Sequence, residues 1–223
     1  MPRIQPLGDR AWLARFDSEA DAAAWAGAAR AAARPGVVDL VLAYRSAAVY
    51  VDPDLADPAE VGEWLGRLTV ADRADETTDA HRIVVPVLYD GDDLADVAGR
   101  VGLSVDEVIG RHVSAEYRVF AVGFQPGFPY AGYLPEGLAG LPRRDRPRTV
   151  VPAGSVAIAG RQTGIYPAPS PGGWHLLGRT PLTIADLERG FFPIRAGDSL
   201  RFRAIDRAEF DRLLGLDLGT EPP

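Results

Sequence analysis

The 223-residue sequence contains no cysteine, no lysine and no asparagine. Without cysteine there is no thiolate nucleophile, no sulfur ligand for a metal and no disulfide. That agrees with a cytoplasmic setting, where disulfides are not needed. Without lysine there is no P-loop lysine to grip phosphates, no Schiff-base lysine and no lysine to carry biotin. All 24 basic residues are therefore arginine. The three histidines, His81, His112 and His175, fall in neither HExxH nor HxH spacing, so no dedicated metal site is expected. Neither a GxSxG elbow nor a GxGxxG fingerprint is present. No apolar run reaches the roughly 18 residues of a membrane span. The opening MPRIQPLGDR lacks the apolar stretch of a signal peptide. These absences predict a soluble, cytoplasmic protein with no membrane contact.

Hydrophobic residues make up 47% and charged residues 25%, the mix of a globular chain long enough for one large domain or two small ones. The net charge of −7 argues against nucleic-acid binding, which needs a basic surface. The charge is unevenly spread. Residues 1–80 hold eight arginines against fourteen carboxylates, whereas residues 111–179 hold eight arginines against three. A cationic segment on an acidic protein points to a local anion site or a partner-facing patch.

Local patterns suggest a two-part organisation. Ile4–Leu7 and Ala11–Phe16 read as strands around the Gly8-Asp9 turn. Ser18 with Asp21 forms a capping pattern ahead of an alanine-rich helix over Ala20–Ala33. Val37–Ala43 and Ala47–Val51 are β-rich, and Asp57-Pro58 opens a second helix. The order β-β-α-β-β-α describes a small α+β sandwich. The polar stretch Ala71–Ala80 reads as a linker, giving domains at 1–78 and 79–223. The second part begins with a strand over Arg82–Leu88, a helix over Asp92–Val101 and another starting at Ser104. Gly123–Gly178 then holds 11 Gly and 9 Pro in 56 residues, which excludes long helices. Strands are predicted at Tyr117–Val122, Thr149–Val151, Val156–Ala159, Leu182–Ile184 and Leu200–Ala204, with a short helix over Glu209–Leu216. Short strands with Gly/Pro corners suggest a closed or nearly closed barrel.

Four segments carry candidate chemistry. Arg118 to Tyr133, with Phe124 and Pro126, offers aromatics and prolines on tight turns, either a ligand platform or a packed barrel corner. Leu141 to Arg148 places four arginines on a Pro-bounded loop, either an anion clamp or a solvated surface. In Val151 to Pro167, Ser155, Gln162 and Thr163 lie among glycines, where polar groups either converge on a ligand or close a buried turn. Ser170 to Pro181 brings Trp174, His175 and Arg179 near a glycine pair. His175 and His112 are each either an acid–base group or a hydrogen-bonded structural residue. No nucleophile–base–orienter set is complete, which fits a subunit that supplies part of a site.

Taken together and in order, VFAVGFQPGFPYAG at Val119–Gly132, the PAGSV and QTGIYP motifs within Val151–Pro167, and PGGW with GRTP within Ser170–Pro181 resemble the family of the bacterial 5-oxoprolinase B subunit. That family is also called allophanate hydrolase subunit 1 or the sporulation kinase A inhibitor family. Gly8-Asp9-Arg10-Ala11 and Glu116-Tyr117-Arg118 also match, so the resemblance runs through nearly the whole chain. His175 stands where many members have glutamine.

The resemblance implies an α+β N-terminal domain followed by a mainly-β, cyclophilin-like barrel. It implies two partners, a C subunit that is allophanate hydrolase subunit 2-like and an A subunit. Together these would open 5-oxoproline to glutamate with ATP and magnesium, and this chain would be inactive alone. It also implies kinship with the carboxyltransferase part of urea carboxylase. Phosphoryl transfer needs cationic clamps, so Arg148 and Arg179 are the leading catalytic candidates, with His112 as proton carrier or orienter. Arg118, Phe124, Pro126, Ser155, Gln162, Thr163, Trp174 and His175 are candidates for binding substrate or nucleotide. The alternatives are a regulatory protein that inhibits a histidine kinase and a component of an allophanate/urea amidolyase.

Overall fold

The computed structural model describes residues 2–69 and 80–219. The chain divides into two compact units, Met1–Asp79 and Ala80–Pro223. The linker expected at Ala71–Ala80 lies almost wholly outside the described residues.

In the first unit, β1 (Arg3–Pro6), β2 (Ala11–Arg15), β3 (Val37–Ala43) and β4 (Ser46–Val51) form an antiparallel sheet in the order β1-β2-β4-β3. Helix α1 (Glu19–Ala31) contacts β3 and β4, and α2 (Pro58–Arg67) contacts β1. Ser18 accepts the Asp21 N–H, capping α1 as its sequence predicts. The alanine-rich face of α1 buries Ala22, Ala26 and Ala29 beside the one large side chain, Trp25. Asp57 caps α2 through the Ala59 N–H, and Pro58 sits in the first turn, where no backbone donor is missed.

The second unit contains β5 (Arg82–Val87), α3 (Leu94–Val101), α4 (Val105–Ser114), β6 (Tyr117–Val122), β7 (Pro129–Gly132), β8 (Arg148–Val151), β9 (Ser155–Ala159), β10 (Gln162–Ile165), β11 (Ser170–Gly172), β12 (His175–Arg179), β13 (Ser199–Ala204) and α5 (Arg207–Leu213). Seven strands form one sheet in the order β12-β9-β10-β7-β6-β13-β5. Only the β13–β5 pair is parallel among the pairs within this sheet. Just past β5, Leu88 bridges Arg179 at the end of β12 through two backbone hydrogen bonds of 2.9 Å. The two edge strands therefore meet, and the sheet becomes a nearly closed barrel. Val85, Val119, Ile158, Ile165, Leu177 and Phe202 are among the side chains of its core. Helix α4 lies on β13, and α3 lies against α4 and β12.

Two expectations need correction. Helix α3 starts at Leu94, not Asp92, because Asp93 takes the cap position and turns its carboxylate away from the helix. Leu182–Ile184 is not a strand; Thr183 makes only an isolated bridge to Asp217. Strands β7, β10 and β12 run through the Gly-rich motifs, where glycine hides the two-residue alternation that marks a strand.

Barrel closure requires glycine at 178. A Cβ there would collide with the Leu88 carbonyl and Tyr89 backbone. Gly178→Ala should therefore destabilise the protein by about 1–3 kcal/mol. Gly99→Ala, inside α3 with no atom within 4 Å of its added Cβ, should instead stabilise it by about 0.5–1 kcal/mol. Urea denaturation midpoints test both, and shifts of the same sign would contradict the closure argument.

Candidate functional site

The bridge at Leu88 steers the next residues across the end of β12. The Gly91 N–H donates to the Leu177 carbonyl at 3.1 Å, and the Asp93 N–H to that of Leu176 at 3.2 Å. Asp90 is left beside Arg179 in the lining of a cleft of about 740 Å³. The Arg179 guanidinium grips Asp90 with Nη2 at 2.7 Å and Nε at 3.2 Å, and Arg207 approaches the same carboxylate at 3.5 Å. Both guanidiniums lie over Phe210, at 4.9 and 5.7 Å from its ring centre. Ser155, paired with Arg179 across β9 and β12, lines the same cleft. The Arg179–Asp90 pair is partly exposed, so it adds only about 0–1 kcal/mol to stability. Arg179 and Arg207 thus share one carboxylate, while Asp92 and Asp211 also line the cleft, so an anion would be met by these two guanidiniums locally and not by a cleft of net positive charge.

Behind the cleft, buried Asp93 is held by three donors. Arg144 and Arg148 (the latter at 2.8 Å) both reach its Oδ1, and the Leu176 N–H reaches its Oδ2 at 2.8 Å. Burial pushes the Asp93 carboxyl up. The Arg148 hydrogen bond, the Leu176 N–H and the two guanidinium charges outweigh this and hold it below its ordinary value. Arg148 therefore sits in a structural ion pair and does not share the Arg179 cleft wall.

His112 is in the barrel interior. Its Nδ1 lies 2.7 Å from the Tyr89 hydroxyl and its Nε2 2.9 Å from Thr163 Oγ1. Thr163 donates its hydroxyl to the Ala157 carbonyl at 3.2 Å. That direction makes Nε2 the protonated nitrogen of His112 and leaves Nδ1 to accept from Tyr89. The ring stacks on Phe202 at 4.5 Å. Burial lowers its pKa to about 3, so the ring is neutral near pH 7. This is the setting of a positioning group between α4 and β10. It is not that of a proton carrier open to solvent.

The other candidates separate. Gln162 and Thr163 lie in strand β10, paired with β7 and β9, so they do not form the open turn suggested by the flanking glycines. Arg118 and Gln162 both pair with Gly132, from opposite sides. Phe124 is 62% exposed, has a positive φ of 68° and makes an edge contact with buried Phe128 at 5.6 Å. Pro126 is exposed beside it. Trp174 closes the same aromatic cluster, 5.4 Å from Phe128. His175 is fully buried, with Nε2 donating to the Pro142 carbonyl at 2.8 Å.

The sequence reading missed Asp90, Asp93, Arg144, Tyr89, Arg207 and Phe210. Asp90 belongs to no motif of the sequence, and Asp92-Asp93 falls at the start of the helix expected over Asp92–Val101. Gly91 was a usable signal, since a Cβ there would collide with the Leu176 carbonyl. Arg207 and Phe210 sit on α5, whose sequence carries no motif.

Residues 2–191 match the family described as carboxyltransferase domain, subdomain C and D. A curated relative from Bacillus subtilis (strain 168), named as the B subunit of 5-oxoprolinase, is 36% identical over 93% of this chain and 95% of its own length. Another of that name, from Escherichia coli O157:H7, is 53% identical over 54% of this chain, and the match spans 56% of that relative. The crystal structure of TTHA0988 is 40% identical with a TM-score of 0.77, and covers 88% of this chain and 40% of its own.

The buried imidazole gives a pH-dependence with a definite sign. The unfolded chain takes up a proton near pH 6.5 that folded His112 refuses down to about pH 3. Its contribution to stability is therefore complete above pH 6.5 and falls as pH drops below it, by about 1.4 kcal/mol per unit. In NMR, the His112 ring signal, assigned by its loss in His112→Gln, should stay that of a neutral ring from about pH 8 to about pH 5. A midpoint near 6.5 would contradict the buried setting.

Proposed function

We propose, on the premise that this chain belongs to the family of carboxyltransferase domains, subdomains C and D, that it is the B subunit of an ATP-dependent 5-oxoprolinase. The observation that carries this reading is the match to the B subunit of Bacillus subtilis 5-oxoprolinase over 95% of that relative's length. The two curated relatives described above bear that name at 36% and 53% identity, against 28% for a putative urea carboxylase of Emericella nidulans, which favours it over an allophanate/urea role, and none of these names points to kinase inhibition. In this reading the second unit is a cyclophilin-like barrel preceded by an α+β domain, and the protein works in the cytoplasm.

The chemistry suits what the barrel end presents. A lactam resists attack because its nitrogen lone pair is delocalised into the carbonyl. Transfer of the γ-phosphoryl group of ATP to the lactam oxygen makes the ring carbon electrophilic. Water then adds to that carbon, the ring C–N bond breaks with the nitrogen taking up a proton to leave as the amine, and a second water hydrolyses the resulting acyl phosphate to glutamate and phosphate. The charge on the transferring group calls for cations beside it. Arg179 and Arg207, splayed over Phe210 and sharing Asp90, are this chain's contribution. Ser155 supplies a hydroxyl on the same wall.

The donor set is incomplete for magnesium-ATP. No lysine is present, and no group of three metal-ligating side chains occurs among the described residues. The nucleotide and its magnesium are therefore assigned mainly to a partner, the C subunit, with the assembly completed by the A subunit. The chain of TTHA0988, which this one covers to 40%, carries much further sequence besides the matched part, as expected of a unit that acts beside another.

Mixing the purified chain with the A and C subunits should yield glutamate from 5-oxoproline only when ATP and all three proteins are present. No glutamate from the full mixture would overturn the assignment. In that mixture Arg179→Ala should lower turnover by about 10²-fold while the chain keeps its thermal midpoint within a few degrees. Unchanged turnover would move the cationic clamp off this chain.

A further inference from the structure

Buried polar atoms in folded proteins almost always have hydrogen-bond partners, so a cluster of exceptions needs a reason. Among the described residues of the second unit, four buried side-chain atoms lack one: Arg144 Nε, Arg148 Nη1, Ser170 Oγ and His175 Nδ1. All four come from two short segments, 142–148 and 170–175. These segments are strapped together. The Arg144 N–H donates to the Gly173 carbonyl at 2.8 Å, His175 Nε2–H donates to the Pro142 carbonyl at 2.8 Å, and Arg148 pairs with Gly172 between β8 and β11.

Charge points the same way. Asp93 is the one buried carboxylate that Arg144 and Arg148 share, and its oxygens already take three donors. Asp92 lies 3.8 Å from Arg148 but is 78% exposed, so water screens it. One positive charge is left over, with an N–H of each guanidinium and the Ser170 hydroxyl still to be used. His175 is fully buried and commits Nε2–H to Pro142, so its Nδ1 presents a lone pair.

We propose that Arg144, Arg148, Ser170 and His175 form a second binding site, distinct from the Arg179 cleft, for a small oxyanion. The anion is a carboxylate or phosphate that carries an adjacent N–H or O–H. Its negative oxygens take the two guanidinium N–H groups and the serine hydroxyl, in the charge-assisted geometry that arginine favours. Its own N–H or O–H donates to His175 Nδ1. The site depends on this chain alone, whatever reaction the assembly performs.

Calorimetric titration of the full-length chain tests this with two probes, inorganic phosphate and 5-oxoproline. At least one should bind one-to-one with a dissociation constant of about 1 mM or tighter. Phosphate alone would identify a phosphate site, and 5-oxoproline alone a carboxylate site. Ser170→Ala, which touches no existing hydrogen bond, should weaken binding about tenfold. Arg148→Met should abolish it, and Arg161→Ala, an exposed arginine over Tyr133, should leave it intact. No saturable binding by either probe would overturn the proposal. So would binding that survives Ser170→Ala undiminished, because the anion would then sit elsewhere.

Discussion

Two backbone hydrogen bonds between Leu88 and Arg179 hold the working end of this barrel together. A seven-stranded sheet has two edges, and exposed edges leave rows of unpaired amides and carbonyls. Here the edges are β5 and β12, and the chain brings them together just where β5 ends. The approach is so close that residue 178 must lack a side chain. Once the strands meet, the chain beyond Leu88 has only one way to go, across the end of β12. Asp90 then faces Arg179, and Asp93 comes within reach of Arg144, Arg148 and the Leu176 amide. The cleft, its charge and the buried ion pair behind it all follow from that closure.

The two acidic residues that flank the closure have different fates because their burial differs. Asp90 is partly exposed, so its pairs with Arg179 and Arg207 are weak enough to rearrange. Asp93 is almost fully buried, so losing one of its partners would leave an uncompensated charge in a low-dielectric setting. The first arrangement suits a surface that exchanges one anionic partner for another. The second suits a fixed support. A similar division separates the histidines of the barrel. His112 is fully satisfied and neutral, whereas His175 keeps one nitrogen without a partner.

Much of the architecture could be read from the sequence, and the reasons are local. Ser18, Asp57 and Ser104 mark helix starts with side chains that do the capping, so α1, α2 and α4 begin where the pattern puts them. Strands β3 and β6 lie where runs rich in β-branched and aromatic residues put them. Strands β7, β10 and β12 were hidden because glycine and proline, taken as turn formers, instead serve close packing. A Cβ at Gly164, for example, would lie 2.8 Å from the Phe128 ring. At the site, Arg179 was legible from its motif. Its counter-ion Asp90 was not, because the two are 89 residues apart in the chain and meet only through barrel closure. His112 was legible as important, but its direction was not. Only the fold shows that it faces inward to Tyr89 and Thr163.

The central claim is that this chain completes a site it does not hold alone. The most direct measurement titrates it into a fixed mixture of the A and C subunits and follows 5-oxoproline-dependent ADP release. No release above background is expected without the chain, then a rise that saturates at a fixed ratio to its partners. Release that is already maximal before the chain is added, or that never rises with it, would mean that the chain completes no site.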